Sequence, residues 1–130
     1  MNTGNVKALV AYRLEQARES LEASTALLKE DILRSSINRS YYAMFYAVLA
    51  LLALEKRETS KHSSAISLFD AQFVKKGLFG REFSRWLHEA FDLRQRSDYM
   101  AEARVSAKDA AIVLEHARAF LEAVGGYLSF

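Results

Sequence analysis

Apolar residues return along this chain at helical spacing in five successive stretches. Val6, Leu9, Val10, Leu14, Ala17, Leu21 and Leu28 fall on one stripe with Arg13 and Ser24, while Glu15, Arg18, Glu19 and Glu22 lie off it. Residues 5–29 therefore read as a first helix. A second runs over about 31–56, with Asp31 as its cap and Lys56-Arg57 as cations suited to its C-terminal end. Ser60 can cap a third, over about 60–75, that carries Ala65, Ile66, Phe69 and Phe73 and stops at Lys75-Lys76-Gly77. After the turn Gly77–Gly80, a fourth helix over about 81–97 turns Phe83, Trp86, Leu87, Ala90, Phe91 and Leu93 inward. Ser106 with Asp109 three positions on resembles a capping box, so a fifth helix spans about 106–124 and ends at Gly125-Gly126.

The second helix differs in kind from the others. From Tyr41 to Leu54 it carries no charge and is apolar nearly all round, the pattern of a buried central helix. The uncharged run falls short of the roughly twenty apolar residues that a membrane span needs, so no membrane is expected. Composition agrees with an all-α chain: no Pro, five Gly, and 51% hydrophobic residues, enough for a core. With 130 residues the expectation is one domain over 1–130, an antiparallel bundle of about five helices around the helix at 31–56. The absence of Cys excludes disulfides, thiolate metal sites and a Cys nucleophile. No secretory pattern opens the chain, so the cytoplasm is the expected location. A net charge of +2 permits a nucleic-acid partner without demanding one.

Three places carry candidate chemistry. On the second helix, Ser35, Arg39, Tyr42, Ala43, Tyr46, Ala50 and Ala53 fall on one side, and Ile37, Tyr41, Met44, Val48, Leu51 and Leu52 on the other. The first side is polar near Arg39 and small further on, so a neighbouring helix can approach closely. Arg39 at the mouth of an apolar helix must be solvated, paired with a carboxylate, or used. In Arg94-Gln95-Arg96-Ser97-Asp98-Tyr99, Arg94 and Asp98 share a face. An intrahelical pair of this kind contributes a few tenths of a kcal/mol, and here in its weaker orientation, cation first. Lys61-His62 opens the third helix, where His62 either stands beside a phosphate or is a half-exposed hydrogen-bonding His. His62, His88 and His116 lie on three different helices, so no metal and no cofactor is expected. Lys75, Lys76, Arg81 and Arg85 form a basic cluster that reads as a solvated face.

Taken in order, Arg39-Ser40-Tyr41-Tyr42-Ala43-Met44-Phe45-Tyr46-Ala47, Lys61-His62 with Phe69, Phe73 to Gly77, and Leu93 to Tyr99 resemble the HEPN domain, in particular the small stand-alone HEPN proteins of bacteria and archaea. The match covers roughly residues 10–125. The resemblance implies a helical bundle, frequently dimeric, and frequent genetic pairing with a minimal nucleotidyltransferase, as in toxin–antitoxin modules. Many HEPN toxins are metal-independent ribonucleases whose signature is an Arg, four to six residues, then a His. This chain departs there: after Arg94 the candidate positions hold Tyr99, Met100 and Ala101, and no His follows until His116. Tyr99 is a poor base at neutral pH because its reference pKa is near 10.

The expectation is therefore a non-enzymatic module that binds nucleotide or RNA, with no catalytic residue. It acts as a homodimer or beside a minimal nucleotidyltransferase. Arg39 and Arg94 would hold phosphate, Tyr42 and Tyr99 would stack or hydrogen-bond, Asp98 would orient an Arg, and His62 would stand by the phosphate. A ribonuclease toxin of divergent chemistry, with His62 supplied from the third helix, is the second expectation. A purely structural interaction protein is the third.

Overall fold

The computed structural model describes residues 3–99 and 104–129. Five helices form an all-α bundle: α1 (Thr3–Lys29), α2 (Leu33–Leu54), α3 (His62–Phe69), α4 (Arg81–Tyr99) and α5 (Ala107–Tyr127). α2 lies at the centre, packed on all four of the others. By length and composition alone α2 could cross a membrane, yet 67% of its most apolar stretch is buried within the bundle. Tyr41, Ala43, Met44, Ala47, Val48, Ala50, Leu51 and Leu52 are all sealed from solvent. Protein covers this helix on nearly every side, which accounts for its unbroken apolar run.

Contacts between α2 and α4 show that these two run antiparallel. Arg34 and Asn38 in the first turns of α2 meet Ser97 and Asp98 near the end of α4, whereas Tyr42, further along α2, meets the earlier Arg94. α1 and α2 are pinned by buried serines. Ser24 Oγ lies 2.6 Å from Ser40 Oγ and 3.0 Å from Ser36 Oγ, and it donates to the Ser36 carbonyl at 2.8 Å. Such small side chains let the two backbones come close just below Asn38 and Arg39, and satisfied hydroxyls can be buried at little cost.

The helix ends depart from the sequence reading in four places, each for a local reason. Asp31 does not cap α2. It takes a left-handed conformation, φ 58°, that closes α1, with its N–H on Leu28 O and the Ile32 N–H on Leu27 O. A residue committed to that geometry cannot adopt the extended backbone of an N-cap, and Ile32 caps α2 without a side-chain bond. Lys56 repeats the device at φ 59°, so α2 ends at Leu54. Ser60 does not cap α3, which starts after Lys61. Thr59 Oγ1 accepts from the Lys61 N–H instead. Gly125-Gly126 does not end α5, which continues to Tyr127. Each Gly costs up to about 1 kcal/mol against Ala, but Tyr127 packs on Phe73 and Phe79, and Leu128 is buried beyond it. The Ser106 cap holds as expected, its Oγ accepting from the Asp109 N–H at 3.0 Å. α3 passes into a wider π-helical turn, Asp70–Val74, before Gly77 reverses the chain at φ 79°.

Candidate functional site

The polar end of α2, the C-terminal half of α4 and the first residue of α3 converge on one cluster. Arg94 is its hub. Its Nε donates to Asp98 Oδ2 at 3.2 Å, and one terminal nitrogen donates to the Tyr42 hydroxyl at 3.3 Å. The guanidinium also lies within 5.7 Å of the Tyr41, Tyr42 and Tyr99 ring centres. With only 14% of its side chain exposed, Arg94 is held far more tightly than a surface i,i+4 pair requires. Asp98 also accepts from Asn38 Nδ2 at 3.1 Å, so α2 and α4 share one carboxylate.

Arg39 is neither buried nor bound to a carboxylate among the described residues. Its Nε and a terminal nitrogen donate to Asn38 Oδ1, and its guanidinium covers the Tyr42 ring at 4.8 Å. Tyr42 therefore meets two arginines. Arg34 donates to the Ser97 carbonyl from the same end of α2, and Arg104 shares a shallow hollow with it.

His62 enters from the side. Its ring stacks on Phe45 at 4.2 Å and 6°, and its Nδ1 lies 2.6 Å from the Tyr41 hydroxyl. Burial, and then the nearby positive charge of Arg94, hold the imidazole below its ordinary pKa, so the neutral ring is favoured at pH 7. Tyr41 moves the other way, chiefly through burial and secondarily through Tyr42, so its phenol stays protonated. That proton has no acceptor except His62 Nδ1 among the described residues. If the imidazole carried its proton on Nδ1, a buried phenol O–H would be left unsatisfied, at a cost of about 1–3 kcal/mol. The hydrogen-bond arrangement thus assigns the proton of His62 to Nε2. A neutral ring in that form offers an N–H donor on its free side rather than a basic nitrogen.

Of the six residues singled out from the sequence, Arg94, Asp98 and Tyr42 are joined by direct bonds. Arg39 and His62 reach them through Tyr42, Asn38 and Tyr41. Tyr99 touches the cluster only through its ring and is 72% exposed. Two further residues belong to it. Tyr41, placed on the core side of α2 by its position, carries the phenol that fixes His62. Asn38 bridges Arg39 to Asp98. The other histidines lie elsewhere: His88 Nε2 meets Asp70 at 2.7 Å, and His116 stacks on Trp86 at 4.7 Å in the cleft between α4 and α5. The next His after Arg94 is therefore not delivered to Arg94. Met100 and Ala101 lie outside the described residues.

A model of the HEPN domain matches residues 10–127 of this chain. The chain belongs to the HEPN domain family. Among curated HEPN relatives, a UPF0332 protein of Thermotoga maritima is 34% identical over 116 residues, covering 89% of this chain and 88% of that protein. A protein of Methanocaldococcus jannaschii named "Putative toxin MJ0142" is 33% identical over 115 residues, covering 88% and 78%. The UPF0332 protein glr0978 of Gloeobacter violaceus is 32% identical over 117 residues, covering 89% and 93%. The Arg39–Arg94 cluster lies wholly within the matched HEPN region.

Proposed function

We propose that this HEPN domain is a non-enzymatic module that binds the phosphate of a nucleotide or RNA at the Arg39–Arg94 cluster. The observation that carries the reading is the fixed presentation of Arg94. Asp98 and Tyr42 take two of its donors and hold a forked, permanently charged group in place, with its other donors left for a phosphate. Arg39 over Tyr42 and the Nε2–H of His62 supply a second cation and a neutral donor beside it. Tyr99 is exposed and free to cover a base. The names of two relatives bring a toxin-related role within this reading. On the family pattern the module acts as a homodimer or beside a minimal nucleotidyltransferase, in the cytoplasm.

Arg94→Ala tests this directly. Loss of a charge-assisted contact costs about 1.5–3 kcal/mol, or roughly ten- to a hundredfold in affinity for RNA or a nucleotide. Purified wild-type protein should leave RNA intact in the presence of a metal chelator. One observation favours a second reading, a metal-independent ribonuclease: two relatives carry the name putative toxin. Cleavage by wild type that is lost in both His62→Ala and Arg94→Ala would establish that reading and overturn the first. If neither binding nor cleavage is detected, Arg94 and Asp98 serve the bundle alone.

A further inference from the structure

A concavity away from Arg94 borders Phe45, the ring on which His62 stacks. A groove of about 730 Å³ runs between the N-terminal half of α1 and the C-terminal half of α2, closed at one side by the 57–61 connection. We propose that this groove takes the strand that flanks the phosphate held at Arg94, so that the ligand is single-stranded RNA several nucleotides long rather than a mononucleotide. The inference rests on the phosphate reading above and extends it along the molecule.

Continuity is the first argument. Phe45 lines the groove and carries the His62 ring, and Tyr46 lines it while packing 5.8 Å from the Tyr42 ring. Lys61, also in the groove wall, immediately precedes His62. Groove and cluster thus share a wall, with Tyr42 and Tyr46, one turn apart on α2, joining one to the other.

Charge and chemistry are the second. Arg13, Arg57 and Lys61 line the groove, and Lys56 stands where it meets a smaller hollow of about 280 Å³ that shares Leu9, Ala53 and Glu58. Against these four cations stand two carboxylates, Glu58 and the Glu55 that meets Arg57 at 3.5 Å. Arg13 is oriented by neutral Gln16 at 2.8 Å and keeps its full charge for a ligand. A positively charged trough over an aromatic and aliphatic floor is how proteins follow a single strand, with cations on the backbone and rings under the bases.

Length is the third. From Phe45 to Ala53, the α2 residues that line the groove, the helix rises about 12 Å. A stacked strand advances about 3.4 Å per nucleotide, so the groove accommodates roughly three or four nucleotides beyond the one at Arg94.

The test is fluorescence anisotropy with labelled oligouridylates of increasing length, with uridine monophosphate measured by competition. Wild type should bind more tightly with each added nucleotide up to about five and then level off. Arg13→Gln combined with Arg57→Gln should keep the monophosphate affinity, lose most of the gain with length, and reduce the salt slope by about 1.4, since each phosphate contact on a single strand contributes about 0.7. Arg57 is exposed and Arg13 half-buried, and an unchanged melting temperature will show that the fold is intact. No gain with length in wild type, or a gain that survives in the double variant, overturns the groove while monophosphate binding sensitive to Arg94→Ala leaves the phosphate reading standing. Polyglutamate displacing RNA as well as RNA displaces itself would overturn it in favour of an acidic protein segment. Loss of the monophosphate affinity itself, in wild type, removes the phosphate reading and the groove with it.

Discussion

Removing a single oxygen, by Tyr41→Phe, should change the state of His62 without disturbing the bundle. Tyr41 is fully buried, so its hydroxyl cannot exchange the bond to His62 Nδ1 for one to water. A net intramolecular hydrogen bond contributes about 0.5–1.5 kcal/mol. Phe keeps the ring and its contacts with Phe45, Tyr42 and Phe91, so no cavity of consequence is added. In a chain of this size about 1 kcal/mol moves the melting temperature by roughly 3–5 °C. The larger consequence is electronic. In wild type the phenol donates to Nδ1 and so favours the neutral ring with its proton on Nε2. Without that donor the protonated ring is less disfavoured, and the His62 pKa must rise toward its ordinary value although burial and Arg94 still hold it down. Imidazole nitrogen shifts measured by NMR across pH 5–8 report both quantities. Wild type should show the Nε2–H form at pH 7, and the variant a mixture of forms with a raised pKa. RNA affinity should weaken by no more than one neutral hydrogen bond, roughly two- to tenfold. A wild-type ring protonated on Nδ1, or a His62 pKa in the variant that stays put or falls, would refute the assignment. The case for a donor rather than a base at this position would fall with it.

Three other consequences are open to measurement. Ala50 is sealed in the centre of α2, so Ala50→Leu should overpack the core by about 1–3 kcal/mol; unchanged denaturant midpoints would show that this face has room. Gly126 is helical and nothing lies within 4 Å of where its Cβ would be, so Gly126→Ala should stabilise by about 0.4–1 kcal/mol, read from the melting temperature. Burial lowers the pKa of both His62 and His116, so the unfolded chain binds more protons than the folded one below the ordinary value of about 6.5. Their contribution is therefore complete above that pH and is lost as pH falls through the folded values, a slope that His62→Phe should flatten in urea titrations at pH 7.5, 6.5 and 5.5.

The fold was legible because its main signal is periodic. Five stripes at helical spacing, one run apolar all round, and no Pro leave few arrangements other than a bundle around α2. What periodicity does not carry is the backbone conformation of single residues. Asp31 is a good N-cap by type, but a three-residue connection needed a left-handed residue to close α1, and Asp tolerates that conformation better than Ile32 does. Gly125-Gly126 is a good stop by type, but the aromatic cluster of Phe73, Phe79 and Tyr127 lies beyond it, and packing outweighed propensity.

The same division explains the site. Arg94 and Asp98 announce each other by spacing, and Arg39 by being a charge at the mouth of an apolar helix. Those signals are local and could be read. Tyr41 could not be, because on a helical wheel it falls among Ile37, Met44 and Val48 and is as buried as they are. Its role comes from one atom reaching His62 across twenty-one positions of sequence. The connection is what distinguishes the chemistry available here. Had His62 stood alone in the field of Arg94, a neutral imidazole beside a cation would read as a base. A buried phenol whose only acceptor among the described residues is Nδ1 turns the free side of the ring into a donor, and a donor beside two arginines is suited to holding a phosphate rather than to taking a proton from the sugar that bears it.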